Sequence, residues 1–396
     1  MRLAWAAAFA SVIASCGERT QPVEVPYEPP PPPQLGAPLD HVMQMEIGTL
    51  HGCALIDGGE VWCWGWPDAI ANTSVESNQH LARRVEGLRD VVEIRAGGKQ
   101  TCARTHTDEL WCWGERFDAP GVSDPNVVAW DPLRGPPDSI LPRFHPRPIR
   151  VAIEGLVAFD VGRAHACAID GARVLRCWGS NANDEIGGYA DPSAPHRVAD
   201  AVIDLDAGPF YTCFTRETGQ ERVTRRPGRD RDVVPAIERV CLGAPPEIAR
   251  TAPRQPITLE DTFASIACVI EDGRARCETV GAWAPADFAI PDASDVRAIA
   301  LGAYHGCLAH EDGRVQCWGQ SMMGQLGPAP ASTAEADARV RTIEGVSALA
   351  LGAGPYRTCA LTTGAGVVCW GDNERGACGA EAFTRTAPVT VVRRPL

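Results

Sequence analysis

The sequence predicts an all-β fold, a seven-bladed β-propeller of four-stranded antiparallel blades. Three observations lead there. The stretch CALIDGGEVWCWG, Cys53 to Gly65, returns along the chain with its two cysteines and the Trp-Gly in place. Each copy is flanked by short apolar runs and turn residues, so that a unit reads as four strands; units of this length in series mark a propeller. Gly (39) and Pro (33) are abundant among the 396 residues, which favours turns over long helices.

The elements follow in chain order. Residues 1–15 read as a lipoprotein signal peptide: Arg2, an apolar run from Leu3 to Ile13, then Ala14, Ser15 and Cys16. The run is too short for a stable spanning helix. Ile-Ala-Ser-Cys is similar to a bacterial lipobox, which makes Cys16 the expected lipid anchor. An ordinary signal cut nearby, leaving a free thiol, is the alternative. Residues 16–38 form a Pro-rich tether, GERTQPVEVPYEPPPPPQLGAP after the anchor. In polyproline II, at ~3.1 Å per residue, it would reach about 70 Å. A ligand for a proline-binding partner is the sharper alternative. Sixteen cysteines point to an oxidising compartment. The expectation is an exported bacterial lipoprotein on the periplasmic face or cell surface, with Gly17 after the anchor leaning toward the outer membrane.

Residues 39–396 carry the propeller, with approximate blades 39–89, 90–155, 156–200, 201–253, 254–293, 294–345 and 346–396. Later copies of the opening stretch start at Cys102, Cys167, Cys307 and Cys359. A degenerate one, CVIEDGRARCETV, starts at Cys268, and another is split between YTCFTR at Cys213 and ERVCLG at Cys241. Residues directly opposite in a hairpin have position numbers with a constant sum. Cys53 and Cys63 centre on Gly58, and Cys307 and Cys317 on Asp312. Cys268 and Cys277, one residue closer, centre on the Asp272-Gly273 bond, a two-residue turn signal. Loop length changes while the cysteines stay opposite, near disulfide reach. Seven intra-blade disulfides are therefore expected: Cys53–Cys63, Cys102–Cys112, Cys167–Cys177, Cys213–Cys241, Cys268–Cys277, Cys307–Cys317 and Cys359–Cys369. Strand alternation puts Trp64, Trp113, Trp178, Trp318 and Trp370 on the opposite face, toward a neighbouring blade. His51, His165 and His305 each stand two before a Cys, which raises zinc as a competing reading. Gln100, Tyr211, Ile266 and Arg357 fill that place elsewhere and leave too few donors for a closed site, so no metal or cofactor is expected.

The pattern Gly-x-x-His-x-Cys-Ala-Leu, Asp-Gly, Cys-Trp-Gly, Asn-x-x-Gly-Gln-Leu-Gly resembles the regulator-of-chromosome-condensation repeat. AYHGCLAHEDGRVQCWGQSMMGQLG, Ala303 to Gly327, carries it most fully, and the resemblance covers residues 39–396. Leu242 and Glu278 stand where the pattern has Trp, and Cys378 where it has the Leu of Gly-Gln-Leu-Gly. Cys378 is expected as a small buried hydrophobe, with an intermolecular disulfide as the alternative. The resemblance implies a seven-bladed propeller whose recurrent His bonds backbone at a strand start. The family's namesake promotes nucleotide exchange on a small GTPase and binds chromatin, neither of which an exported acidic chain would reach. Secreted bacterial relatives include a propeller inhibitor of β-lactamases, which implies protein binding in general.

The net charge of −13 weighs against nucleic acid and anionic lipid headgroups as partners. The sequence has no nucleophile elbow, phosphate-binding glycine loop or His-Glu-x-x-His, so it is not expected to be an enzyme. Function is sought where the repeat is interrupted. Units one and two carry long insertions between their third and fourth strands, holding Trp66, Phe117, Trp130 and Phe144. These aromatics are candidate partner-binding residues on one face; the competing reading has them filling gaps in the disc. Unit four inserts RETGQERVTRRPGRDRDVVPAIE between its second and third strands, a loop leaving from the opposite face. Its Arg222, Arg225, Arg226 and Arg229 are candidates for a secondary site, against the reading of a merely solvated loop. The function expected is a monomeric, membrane-tethered extracytoplasmic protein-binding or scaffold module with an unidentified protein partner, touching the membrane only through its lipid. The alternatives are an inhibitor of a secreted enzyme and a degenerate propeller hydrolase.

Overall fold

Seven antiparallel sheets follow one another along the chain in the computed structural model. It describes residues 36–71, 81–115, 144–181, 184–188, 195–224, 232–243, 257–258, 265–280, 294–303, 305–328, 340–373, 376–380 and 387–393. Each blade is a simple meander of contiguous sequence. Blade 1 comprises Val42–Ile47, His51–Ile56, Val61–Gly65 and Arg83–Arg84, and blade 2 Val91–Gly97, Gln100–Thr105, Leu110–Glu115 and Phe144–Val151. Blade 3 comprises Ala158–Val161, His165–Ile169, Leu175–Gly179 and His196–Ala199. Blade 6 has Val296–Leu301, His305–His310, Val315–Gly319 and Val340–Thr342, and blade 7 Ala348–Gly354, Arg357–Thr362, Val367–Gly371 and Val389–Thr390. Three strands are described in blade 4 (Val202–Ala207, Tyr211–Thr224, Asp232–Gly243) and in blade 5 (Ile257–Thr258, Ser265–Glu271, Arg274–Val280). The stretches that would hold their fourth strands, 244–256 and 281–293, lie outside the described residues.

Second strands lie mid-sheet with a neighbouring blade over each face. His51–Ile56 and His305–His310 are accordingly buried at every position. All seven expected disulfides form, and each joins directly opposed residues, with Cα atoms 4.0–4.1 Å apart. Closing a loop of about ten residues stabilises six of these hairpins by roughly 2–3 kcal/mol each, and the longer loop closed by Cys213–Cys241 by somewhat more. The tightest hairpin turns at Asp272 (φ 50°) and Gly273 (φ 70°), the two left-handed residues that a two-residue turn requires.

The Trp after each second half-cystine reaches back to the preceding blade and covers its core. Trp113 joins Cys53, Leu55 and Val61 of blade 1, Trp178 joins Cys102 and Leu110 of blade 2, and Trp370 joins Cys307 and Val315 of blade 6. In blade 4 Leu242 does the same against Cys167 and Cys177, so the Trp-less unit keeps the contact with a smaller side chain. A second joint runs through the histidines, where the sequence led us to expect backbone partners. His51 Nε2 lies 2.7 Å from Thr101 Oγ1, His165 Nε2 2.9 Å from Thr212 Oγ1, and His305 Nε2 2.8 Å from Thr358 Oγ1. Each pair links one blade to the next. Glycine three residues before each histidine makes room, since a Cβ at Gly48, Gly162 or Gly302 would overlap the imidazole.

Ring closure uses the same places with different groups. Trp64 covers Cys359 and Cys369 of blade 7, and its indole N–H donates to Ala377 O at 3.1 Å. Arg357, at the histidine position of blade 7, donates to Gly48 O (2.9 Å), Thr49 O (2.8 Å) and His51 O (3.0 Å) of blade 1. The segment before blade 1 pairs with the one after blade 7: Leu39 N–H donates to Val391 O, and Arg393 N–H to Ala37 O. Cys378 is a free thiol, buried in this closing cluster as a small hydrophobe.

The blade-4 insertion corrects one expectation. It continues the blade as a hairpin arm, in register from Cys213↔Cys241 to Thr224↔Asp232 with a bulge between Glu217 and Glu221, where the sequence reading had a loop. Arg222 is thus a strand residue opposite Val234.

The buried histidines predict the acid behaviour of the ring. Burial, the largest cause, pushes His51 and His305 down to about 3 and His165 to about 4. Unfolded imidazoles gain a proton below about 6.5 and these do not. Their contribution is therefore whole above pH 6.5 and is lost as pH falls toward 3. At pH 4.5, two units below, the loss is up to about 3 kcal/mol per histidine. Thermal melts should fall in Tm from pH 7 to 4.5. Replacing all three by Gln should lower Tm at pH 7 and flatten the acid limb; an equally steep limb in the variant would contradict the assignment.

Candidate functional site

The innermost strands enclose a central channel of about 370 Å³. Its key layer is the residue paired with the first half-cystine in six blades: Glu46, Arg95, Asp160, Asp206, Ala300 and Gly352. Blades 1–4 therefore give the layer charged side chains and blades 6 and 7 apolar or absent ones. Gly352 is required where it stands, because a Cβ there would overlap Ile47 of blade 1.

The charged half is tied together across blades. Arg95 reaches Glu93 (2.8 Å), Glu46 (3.5 Å) and Asp160 (4.0 Å), and Glu93 also meets Arg104 (3.2 Å). Asp160 accepts the backbone N–H of Val161 (2.9 Å) and, across the seam, of Ala207 (2.8 Å). Gln44 of blade 1 receives the N–H of Ile94 at 3.0 Å and donates to its carbonyl at 2.7 Å, imitating one more strand pair. Tyr211 donates to Asp206 at 3.4 Å. Burial raises Glu46 to about 7 although Arg95 and Gln44 oppose it, and burial also raises Asp160. The channel thus holds the Glu46 carboxyl, pushed up to about 7, beside the Arg95 guanidinium. Among the described residues no group of three His, Cys, Asp or Glu side chains is placed to hold a metal ion.

The residues singled out from the sequence do not come together in the described structure. Trp66 caps a short 3₁₀ turn, Pro67–Ala69, with the Lys99 ammonium of blade 2 5.6 Å from its ring centre. Ala69 and Ile70 are buried, and Ile70 sits beside Trp113. This first part of the insertion fills the seam between blades 1 and 2. Phe144 opens the fourth strand of blade 2, opposite Glu115. Phe117, Trp130, Arg225, Arg226, Arg229 and Cys16 lie outside the described residues. The channel layer escaped the sequence reading, although each of its six residues stands seven before the first half-cystine of its blade.

The family model described as the regulator of chromosome condensation (RCC1) repeat matches residues 296–325 and 349–377, the cores of blades 6 and 7. No curated protein matches the chain. Among solved structures, Prp20p from Saccharomyces cerevisiae is 17% identical over 88% of this chain and 76% of its own, with a TM-score of 0.41. The ectodomain of the Arabidopsis thaliana receptor kinase ACR4 is 15% identical over 89% of this chain and 99% of its own, at 0.48. That of the Physcomitrella patens receptor kinase CR4 is 18% identical over 84% and 74%, at 0.45.

Glu46 gives the channel a pH signature opposite to that of the histidines. Its folded-state pKa lies above the unfolded value of 4.5, so its contribution is whole below pH 4.5 and is lost as pH rises through about 7. Above that the charge costs up to about 2–3 kcal/mol, less where channel water screens it. Glu46→Gln should raise Tm at pH 8 and leave it unchanged at pH 4. The same shift at both pH values would rule out the charge as its source.

Proposed function

We propose that this chain, a regulator-of-chromosome-condensation repeat propeller, is an extracytoplasmic protein-binding or scaffold module tethered by lipid at Cys16. The observation that carries the reading is the blade-4 arm. Its strands Tyr211–Thr224 and Asp232–Gly243 have 14 and 12 residues, where other second strands have five to seven. Its second strand pairs with the first only as far as Arg216, so eight further residues run on to Thr224. At ~3.3 Å each they project about 26 Å past the sheet that supports them. Such an arm adds nothing to the closure of the ring and supplies a surface for a partner. The disulfide Cys213–Cys241 holds its base. Meanwhile the channel carboxylates Asp160 and Asp206 are engaged in hydrogen bonds that hold strands, which favours binding over catalysis.

The test is a crosslinking capture from the native envelope with three chains: the intact protein, one with 218–236 replaced by Asn-Gly, and one with 116–143 replaced by Gly-Ser. A partner lost with either insertion at unchanged Tm supports the reading. Capture retained by both trimmed chains counts against it. An enzyme-inhibitor function would show as inhibition of the captured partner by the intact protein.

The tether has its own test. Cys16→Ala should leave an unprocessed precursor and release any mature protein from the membrane fraction. Normal maturation with continued membrane association would sink the anchor.

A further inference from the structure

Blades 1 and 2 share one assembly at their outer rim. In EVWCWG and ELWCWG the indole N–H donates to the carboxylate two residues earlier: Trp62 to Glu60 at 3.2 Å and Trp111 to Glu109 at 3.3 Å. The other carboxylate oxygen is held by the arginine opposite on the fourth strand, Arg84 at 3.1 Å and Arg150 at 3.2 Å. The matching positions of the other blades hold Arg176, Val240, Arg276, Gln316 and Val368.

The two assemblies differ in what covers the ring. Trp62 is 4% exposed. The guanidinium of Arg393 lies over it, 5.3 Å from the ring centre, and donates to the Asp40 carboxylate and, at 3.1 Å, to its backbone carbonyl. Trp111 is only half-buried, and a cavity of about 350 Å³ opens beside it. Strand register explains the difference. Val85 N–H donates to Val61 O as Val391 N–H donates to Val367 O, so Gly87 stands at the link between blades 1 and 2 where Arg393 stands at the closure. Two further links repeat the glycine, in Ile-Glu-Gly-Leu at 153–156 and Ile-Glu-Gly-Val at 343–346, and the link between blades 3 and 4 has Ala201 in its place. The cavity over Trp111 is the unfilled counterpart of the place that Arg393 occupies.

We infer that this cavity is a docking site for an arginine side chain of a protein partner, an inference that rests on the protein-binding reading. A planar guanidinium would stack on Trp111 through cation–π attraction, as Arg393 does on Trp62. Asp90 and Glu109 at the cavity edge supply carboxylates. One group opposes: Arg89, exposed at the rim, takes the position of Asp40 and keeps the site weaker than its intramolecular counterpart. In a meander the blade links and the turns between second and third strands share one face, so the cavity opens on the side from which the blade-4 arm leaves.

The probe is N-acetyl-arginine amide, with its lysine and glutamate analogues, titrated into the full chain and followed by the Gly87 amide resonance. Arginine should bind best and glutamate not at all. Trp111→Leu should weaken arginine binding about tenfold or more, and Arg89→Asp, on an exposed side chain, should tighten it about threefold to tenfold. Glutamate binding as well as arginine, no saturation by arginine, or an Arg89→Asp chain that binds no more tightly would overturn the proposal. The small probe reads the cavity whether or not a partner is captured, so either idea can fail without the other.

Discussion

A blade of this propeller has two apolar faces and no helix to cover either. Each blade must therefore be covered by its neighbours, and the last must meet the first. Everything else in the fold answers to that seam. The Trp of one blade covers the disulfide of the one before it, and a histidine shares a hydrogen bond with the next blade's threonine. The closing seam cannot copy the second joint. Gly52 stands where a threonine would be needed, and it must be glycine because a Cβ there would meet the ring of Trp64. Arg357 answers by reaching past the missing hydroxyl to three backbone carbonyls of blade 1.

What the sequence discloses depends on how local the physics is. Hairpin pairing is local, so cysteine spacing alone identified all seven bridges, and strand alternation placed the Trp residues at the seams. The histidine joint is long-range, and the reading that treated each blade separately missed it. Its signal was nonetheless present. His51, His165 and His305 are each followed in the next blade by Thr101, Thr212 or Thr358, whereas Gln100, Tyr211, Ile266 and Arg357 have Ala166, Ala267, Gly306 and Gly52 at that sequence position. The two positions change together because a buried imidazole needs a partner and a buried hydroxyl does too. The blade-4 arm was misjudged for another reason. Its Gly, Pro and Arg content reads as loop, but the register set by Cys213 and Cys241 carries on through Val223 and Val233.

The channel divides the ring into two halves of different character. Blades 1–4 are joined at the inner rim by polar bonds through Gln44, Arg95 and Asp160. Blades 6 and 7 bring Ile299, Leu301 and Leu351 there. Polar joints in a confined space demand fixed geometry, and apolar ones tolerate repacking. The polar-jointed half is also the half whose sequence carries the insertions of units one, two and four, so the surfaces proposed for binding stand on the part of the frame with the more demanding geometry.

The disulfide pattern has a consequence for how the chain is made. Fourteen cysteines can be paired in about 10⁵ ways, the number growing steeply with each added pair. Here every half-cystine joins the next one in the sequence. With Cys16 set aside, a chain that emerged N-terminus first into an oxidising space would offer the second cysteine of each pair a single unpaired predecessor, its native partner. Cys378 follows the last half-cystine in the sequence, so in that order of emergence the odd thiol would meet bridges already closed. The order of the residues thus does the sorting that an isomerase performs for interlocked proteins.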